Sequence, residues 1–429
     1  MRFYTALCGG VTAVSALTLP FPTPERIFQA AAEAPALPLS AFPKFETVKL
    51  QDAQQEAAAD TGDSSSPGQT KIASAHVPGS DSGTRPANIH SDPTPAADSN
   101  KVPDAAVPPP DAAAAAAPPA DAGGNTNSDD NNTTVNAQKN HGVPCGNPSN
   151  RVEWRSYPTR SKRAFVDAIA CLQSRPASGN FPPATSRYED FVRLHQAWTP
   201  NIHNNDLFLI WHRYFVWAFE QALRNECGFN EAGLPWWDET RDAGRFAASP
   251  VFTAEYFGSL PKGNGTAGTC ITDGRFAGTT LHIGPGTGSE PHCLSRAVDE
   301  KMTAEVTKEY EDICLSRSTF TDFARCWEQG PHGIGHNSIG SVMADVRSSP
   351  GDPSFWLHHL YVDRVFVGWQ DRDTTGARRR TIDGCADGAR PCAPLTLQSR
   401  VAMGGLLKDV SVGQVLDTTN GAMCYQYGS

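Results

Sequence analysis

Apolar residues recur at three- and four-residue intervals in four stretches of the chain, and each stretch predicts an amphipathic helix. These stretches are residues 161–173, 185–198, 205–226 and 353–372. Asp352 and Pro353 stand at the start of the last stretch, where an acidic residue and a proline are typical of a first helical turn. Residues 228–300 are rich in glycine, proline and threonine, which indicates long loops with short extended pieces. The pattern predicts a mainly α-helical fold.

The first third of the chain follows a different pattern. A short apolar run after Arg2 has the length of the hydrophobic region of a secretory signal, so residues 1–19 are predicted to be a signal peptide. Residues 20–140 are predicted to be a low-complexity disordered segment or a pro-region, because Ala, Pro, Asp, Ser and Asn dominate much of it. Phe and Leu are scattered among prolines in residues 20–50, and these side chains can dock elsewhere without forming a domain. The folded domain is predicted at residues 141–429.

The cysteine content and the net charge indicate the compartment of this domain and the partners that it excludes. Of 11 cysteines one, Cys8, lies in the predicted signal, and the even number that remains in an exported chain predicts disulfides that staple loops. The sequence leaves their pairing open. The triplet Asn264-Gly265-Thr266 permits N-glycosylation. A net charge of −10 argues against a nucleic-acid partner, and no later apolar run is long enough for a membrane span. We therefore expect a secreted protein.

A histidine lies within the apolar face of the third predicted helix. Phe208, His212, Phe215 and Phe219 are spaced by four, three and four residues, so this imidazole faces the interior. A single buried histidine is usually a core residue bonded to a backbone carbonyl. This one has companions along the chain, which are His195, His203, His332, His336, His358 and His359. Spacing does not choose between the adjacent pair His358 and His359.

Two sets of three histidines on packed helices suggest a metal site. Imidazoles buried without partners carry a desolvation cost, whereas a metal ion bound by three neutral nitrogens makes use of the same dry pocket. Ligation by imidazole alone suits copper, zinc or iron and disfavours calcium and magnesium. Three protein ligands leave a position open for a substrate. The residues alone leave three alternatives open: a dinuclear centre, two unrelated mononuclear sites, or structural histidines.

Two motifs around these histidines resemble the tyrosinase family of type-3 copper polyphenol oxidases. The first is His203-x4-Phe208-Leu209-Ile210-Trp211-His212-Arg213, ending in Glu220, and the second is Asp352-Pro353-Ser354-Phe355-Trp356 with His359 and Asp363-Arg364. They stand in the order and separation of the family. The resemblance spans about residues 145–372, and its start, "CGNPSNRVEWRSY", is similar to the short fungal catechol-oxidase-like members. We therefore expect an antiparallel four-helix bundle that holds a dinuclear copper centre, wrapped in disulfide-stapled loops.

The resemblance also implies which residues bind the metal. Two copper ions are expected, one bound by His195, His203 and His212, and the other by His332, His336 and His359. His358 then becomes a neighbour near the substrate. Phe355 is expected to pack against a ligand imidazole of the second copper. Arg213 and Asp363 are expected either to support the ligands or to form a structural ion pair.

Three further positions bear on which reaction is favoured. Family members that hydroxylate monophenols usually carry asparagine directly after the first ligand of the second copper, paired with a glutamate that holds a proton-accepting water. Here that position is Gly333, and Glu328 is the candidate glutamate, with a plain structural role as the alternative. Asn337 lies where the family controls substrate access. Without an amide at position 333 the water is held less well, so oxidation of o-diphenols is favoured over hydroxylation of monophenols.

The resemblance implies a secreted copper oxidase that converts o-diphenols, or catechols, to o-quinones with O2. Weak monophenol hydroxylation or o-aminophenol oxidation fits the same site. The partners implied are a small phenolic substrate and O2. A haemocyanin-like protein, which binds O2 reversibly without phenol turnover, is the alternative from another class, and a zinc hydrolase is a weaker one. His282 and His292 lie in a loop region and are not expected to bind metal.

Overall fold

The structure is a computed structural model that describes residues 34–60, 145–419 and 423–428. These residues all belong to one compact unit. The predicted signal peptide and most of the segment 20–140 lie outside them, so the predicted domain boundaries stay predictions. Within the described part, no helix combines the length and apolar character that crossing a bilayer requires.

Helices dominate the described residues. The α-helices are α1 Leu50–Asp60, α2 Thr159–Ser174, α3 Arg187–Ile202, α4 Phe208–Cys227, α5 Glu300–Thr303, α6 Lys308–Leu315, α7 Phe320–Trp327, α8 Gly333–Ile339, α9 Ser354–Asp371 and α10 Val412–Val415. The strands are short: β1 Ser149–Glu153, β2 Pro235–Trp236, β3 Thr269–Cys270, β4 Thr280–Leu281, β5 His292–Cys293, β6 Ser295–Arg296, β7 Arg400–Val401, β8 Val410–Ser411 and β9 Tyr425–Tyr427. The predicted mainly α class is confirmed, whereas the four-helix bundle geometry stays a prediction.

Helix α4 forms the centre of the core, and it packs against α2, α3 and α9. Apolar and aromatic residues lie on nearly every side of it, as is typical of a helix surrounded by others. The Trp356 ring of α9 lies flat on Phe219 of α4, with ring centroids 3.6 Å apart. Tyr188 of α3 accepts a hydrogen bond from the Trp356 indole at 3.0 Å. Close aromatic packing therefore fixes α3, α4 and α9 relative to one another.

A buried ion-pair network joins α4 and α9 to the small sheet β2-β1-β9, in which β1 runs parallel to both neighbours. Asp363 of α9 accepts a hydrogen bond from Arg213 of α4 at 2.6 Å and one from Arg151 of β1 at 3.2 Å. Arg151 also pairs with Glu220 of α4 at 2.8 Å. These contacts join elements of the core, which favours the structural ion pair among the roles considered for Arg213 and Asp363.

Residues 34–60, which we call the strap, belong to the segment predicted as disordered or as a pro-region, yet they are ordered. They contain a 3-10 turn at Leu39–Ala41 and helix α1, which packs against α6. The reason is apolar burial, since Phe42, Phe45 and Ala53 are each at most 8% exposed. The scattered phenylalanines noted in the sequence thus dock on the folded domain.

Four disulfides staple the helices and loops of the described region. They are Cys171–Cys227, Cys270–Cys293, Cys314–Cys326 and Cys385–Cys392. Their presence confirms the disulfide prediction and supplies pairings that the sequence left open.

Cys145 and Cys424 are expected to form a fifth disulfide in an oxidising compartment. Both are free thiols in the structure, but they lie within hydrogen-bonding distance of each other, and one precedes β1 while the other precedes β9. Peptide mapping under non-reducing conditions should find the two peptides linked. Alkylation of both thiols before any reduction would show that the bond is absent.

Candidate metal centre

The first histidine trio comes from the end of α3 and the start of α4. His195 lies within α3, His203 directly follows the last residue of that helix, and His212 lies one turn inside α4. Asn204 has a positive φ of 57°, which turns the chain so that both helices present their histidines to one pocket. All three imidazoles are at most 5% exposed.

Backbone carbonyls fix the orientation of each ring in this trio. The Nδ1 atom of His195 donates to the Arg347 carbonyl at 2.8 Å, and that of His212 to the Phe208 carbonyl at 2.9 Å. His203 Nδ1 lies 3.3 Å from the Thr199 carbonyl. With the proton on Nδ1, each Nε2 carries a lone pair that points into the pocket.

The second trio is built from α8, the turn before it and α9. His332 ends a π-helical turn, Glu328–His332, and His336 follows one helical turn later on α8, as the four-residue spacing predicts. His332 Nδ1 donates to the Glu328 carbonyl at 2.9 Å, and His336 Nδ1 to the Met343 carbonyl at 2.8 Å. His359, on α9, brings its Nε2 to 3.1 Å from that of His336.

The two trios adjoin in one dry pocket. The rings of His212 and His359 are stacked with centroids 4.6 Å apart, and those of His203 and His332 are 6.4 Å apart. Within the first trio, Nε2 of His212 and His195 are 3.4 Å apart. The potential ligand atoms of each trio all lie within 4.8 Å of one another.

The donor set fits a metal ion that prefers nitrogen. Nδ1 of both His195 and His212 donates to a backbone carbonyl, so their Nε2 atoms, 3.4 Å apart, face each other as lone pairs with no proton between them and repel each other. Nε2 of His203 and of His332 are buried without a hydrogen-bond partner. A metal ion bound between these nitrogens removes the repulsion and gives the unpaired nitrogens a partner. Imidazole nitrogen is a ligand that copper prefers.

Burial keeps these imidazoles neutral. Desolvation lowers the pKa of His195 to about 4, and it lowers the pKa of His212 and His359 well below the ordinary value, with neighbouring imidazoles adding to the effect. A neutral imidazole has the free lone pair that a metal requires, so the pocket is ready to bind metal near neutral pH.

The adjacent histidines His358 and His359 both lie in the second histidine group but have different partners, and the assignment of His359 as the ligand stays a prediction. His358 Nδ1 is held by the Glu239 carboxylate at 2.6 Å, whereas His359 Nε2 faces His336. Glu239 is fully buried, and desolvation raises its pKa well above the ordinary value. Sequence reasoning missed Glu239, because it lies in a short 3-10 turn of a loop region and belongs to no histidine motif.

Of the remaining predicted site residues, Phe355 and the Glu328 backbone contact a trio histidine, and Gly333 directly follows one. The Phe355 ring packs on His359 with centroids 4.0 Å apart. The Glu328 carboxylate accepts a hydrogen bond from the Asn204 backbone at 2.8 Å, and burial raises the pKa of Glu328 to about 8. A Cβ atom at Gly333 would lie 3.2 Å from the Glu328 carbonyl oxygen, so these two positions adjoin.

The strap contacts Asn337, and its Phe45 ring stacks on His336 with centroids 4.2 Å apart, a placement that the sequence did not predict. The Asn337 side chain accepts a hydrogen bond from the Phe45 backbone N–H at 3.1 Å and donates one to the Phe45 carbonyl at 2.8 Å. Its amide is therefore fully engaged with the chain itself.

Comparisons with known proteins agree with this geometry. Residues 185–372 match the family model for the common central domain of tyrosinase. The chain is 33% identical over 309 residues to tyrosinase-like protein phomQ1 of Diaporthe leptostromiformis, which covers 66% of this chain and 78% of that protein. It is 29% identical over 334 residues to tyrosinase P of Aspergillus terreus, covering 66% of this chain and 93% of that protein. The solved structure of a mutant polyphenol oxidase from Thermothelomyces thermophila has a TM-score of 0.57 and 30% identity, over 65% of this chain and 88% of that one. The two histidine trios and these similarities together show that the chain belongs to the tyrosinase family.

Proposed function

We propose that this protein is a secreted type-3 copper oxidase that converts o-diphenols to o-quinones with O2. The observation that carries the proposal is the pair of buried histidine trios, whose potential ligand nitrogens lie within 4.8 Å of one another in each trio. Family members act on phenolic substrates with O2. Four disulfides and the exposed turn that holds Asn264 support an exported, glycosylated chain.

Two copper ions are proposed, each bound by one trio. His195, His203 and His212 would bind the first, and His332, His336 and His359 the second. The copper pair supplies electron transfer from the phenol to O2, so that two catechols and one O2 give two o-quinones and two waters.

The chain itself fixes the ligands and keeps water out. Backbone carbonyls hold four of the rings through Nδ1, those of His195, His212, His332 and His336, so that Nε2 of each ring points away from the backbone. Phe355 packs against His359 and lies 5.6 Å, centroid to centroid, from His195, so one aromatic ring supports both trios. Because the ligand rings are already fixed in a buried pocket, no free energy is needed to reorganise them during the reaction.

Oxidation of catechols is proposed as the main activity because the site has no side-chain amide at position 333. The Glu328 carboxylate is bonded to the Asn204 backbone, and Gly333 offers no group that would hold a water beside it. A monophenol must lose its proton to such a base before an oxygen atom is added, whereas a catechol gains no oxygen atom and gives its two protons, with two electrons, to the formation of water.

Gly333→Asn is expected to raise the rate on a monophenol relative to its matching catechol by about tenfold or more, by adding the missing amide. Gly333→Ala is the matched control, since it adds a Cβ atom without the amide. A Cβ there would lie 3.0 Å from the Glu46 carbonyl oxygen, so both variants disturb the strap. The quantity to measure is therefore the ratio of the monophenol rate to the catechol rate. A change in how easily substrates reach the site affects both rates and cancels in this ratio. An equal ratio in both variants and the parent would contradict the role given to position 333.

The haemocyanin-like alternative is tested by oxygen uptake. The copper-loaded protein should consume O2 in the presence of a catechol and release quinone, seen by its absorbance. Reversible binding of O2 without quinone would replace the enzyme proposal by the oxygen-carrier alternative.

A further inference from the structure

The second histidine group contains four imidazoles. His358 lies beside His332, His336 and His359, and one potential ligand nitrogen of each ring is within 4.8 Å of the others. The centroid of the His358 ring is 4.4 Å from that of His336 and 5.3 Å from that of His332. The first group has three members in the part of the chain that the structure describes. The two groups are therefore unequal in the number of nitrogens that they offer.

A buried carboxylate sets the orientation of the fourth ring. Nδ1 of His358 lies 2.6 Å from Oε1 of Glu239, and both side chains are buried. When Nδ1 donates its proton to the carboxylate, the lone pair of the ring is on Nε2. A histidine that binds a metal usually donates its other ring N–H to a carboxylate or a carbonyl, which fixes the ring and makes it a stronger ligand. His358 thus has the hydrogen-bond partner that is typical of a metal ligand.

The opposite nitrogen of the same ring has no partner. Nε2 of His358 is buried and makes no hydrogen bond to any described residue. A buried polar atom without a partner costs free energy, so a purely structural histidine is expected to use both of its nitrogens. His359 differs, because it is the Nδ1 atom of that ring that lacks a partner among the described residues. Of the two adjacent histidines, His358 is therefore the one whose ring is held from behind.

Gly335 lets the Glu239–His358 pair lie directly against helix α8. A Cβ atom at position 335 would be 2.8 Å from Oε2 of Glu239 and 2.9 Å from Cε1 of His358, which is too close for a side chain. The next residue of the helix is His336, a member of the second trio. The pair is therefore packed into the wall of the second site.

We propose that His358 is a fourth imidazole ligand of the second copper, held in place by the Glu239 carboxylate. This inference rests on the proposed function for the presence of copper, and it adds a ligand to the three that the family motif supplies. Neutral imidazoles bring no negative charge to a buried cation, whereas Glu239 brings a carboxylate to one ring of the group. A fourth nitrogen also agrees with the square-planar or tetragonal donor sets that Cu2+ prefers.

A fourth ligand makes the two copper sites different in function. The second copper should be bound more tightly than the first, because it has one more nitrogen donor and a carboxylate behind that donor. The first copper, with three protein ligands, keeps the open position that a catechol oxygen needs.

The test isolates the second site in the full-chain variant His212→Ala, which lacks a ligand of the first. The affinity for Cu2+ is measured by competition with a chelator, and EPR counts the imidazole nitrogens that couple to the unpaired electron of the ion. Adding His358→Asn should weaken Cu2+ binding by about tenfold or more and remove one coupled nitrogen. In the otherwise unchanged chain, the same substitution should let a chelator remove one of the two copper ions about tenfold more readily.

Asparagine separates a ligand from a structural partner. Its side-chain NH2 group can still donate to Glu239 in place of Nδ1, but it has no counterpart of Nε2. A histidine that only pairs with Glu239 is therefore replaced without an effect on copper. His282→Asn in the same backgrounds is the matched control, because His282 lies in neither histidine group. Equal affinity and equal nitrogen coupling in His358→Asn and His282→Asn would overturn the proposal.

Glu239→Gln keeps the proposal testable if His358→Asn does not fold, as judged by circular dichroism of the metal-free protein. Glutamine can still accept the Nδ1 hydrogen bond but carries no charge, so Cu2+ affinity should fall by about tenfold with no loss of a coupled nitrogen. Unchanged affinity would overturn the role given to Glu239. A four-nitrogen copper site in a protein that forms no quinone would support His358 as a ligand and contradict the proposed function. Catechol oxidation by a protein whose copper ignores both substitutions would do the reverse.

Discussion

His212→Ala is expected to lose copper from the first trio and to reduce catechol oxidation by at least about a hundredfold. Loss of a residue that only supports a metal ligand typically costs about 10- to 100-fold in metal affinity or activity. Loss of a ligand itself should cost at least as much. The variant removes one of the three nitrogen ligands of the first copper. The nitrogen that is lost lies 3.4 Å from Nε2 of His195, a second ligand of the same ion. Copper per chain is measured by elemental analysis after loading and desalting, beside the rate of quinone formation.

His282→Ala is the control for this variant. His282 is a partly exposed loop histidine that bonds to Glu189 at 3.0 Å and lies in neither trio, so its loss should leave copper content unchanged. Circular dichroism of both metal-free proteins shows whether the fold survives. A folded His212→Ala protein that binds as much copper as the parent would rule out its assignment as a ligand.

Asp363→Ala is expected to lower the free energy of unfolding by about 3–5 kcal/mol, because it leaves two buried arginines without their shared carboxylate. Arg151 and Arg213 are fully buried, and both donate to Asp363. Denaturant unfolding of the metal-free protein measures the change without any contribution from copper. Asp312→Ala is the control, because that half-exposed carboxylate pairs with Lys308 and Arg372 on the surface and should cost less than about 1 kcal/mol.

The Asp363 carboxylate is also expected to make the stability of the protein depend on pH. Burial alone would raise the pKa of Asp363, but Arg213 and Arg151 reverse that effect and hold it below the ordinary value. A group whose pKa is lowered on folding stabilises the protein above its unfolded pKa, and this contribution is lost as pH falls through the folded pKa. The difference in stability between the parent and Asp363→Ala should therefore shrink in acid. A difference that grows as the pH falls would contradict the network described for Asp363.

Most of the helical framework could be predicted from the sequence. The four predicted stretches correspond to α2, α3, α4 and α9, with ends that differ by only a few residues. The reason is that apolar residues recur every three or four positions in each of these helices, and this repeat is visible in the local sequence. The two histidine trios followed from the same periodicity together with the family motifs, and the structure brings both trios into one pocket.

Other parts of the site depend on contacts between distant segments, which periodicity does not encode. The family motif, not the spacing, assigned His359, and the partner that holds His358 is Glu239, a loop residue more than a hundred positions away. The strap places Phe45 on His336 across 291 positions, and its backbone bonds use groups that every residue carries. Composition predicted disorder because Ala, Pro, Asp, Ser and Asn dominate much of residues 20–140, yet two phenylalanines and one helix face of the strap pack on the folded domain.

The central claim is that the two trios together hold a pair of copper ions that oxidises catechols. The most direct measurement loads the full-chain protein with copper, determines copper per chain, and follows O2 and quinone during catechol turnover. The account predicts about two copper ions per chain and about two quinones for each O2 consumed. One copper ion or none in a folded, fully loaded chain, or two copper ions with no quinone formed, would contradict it.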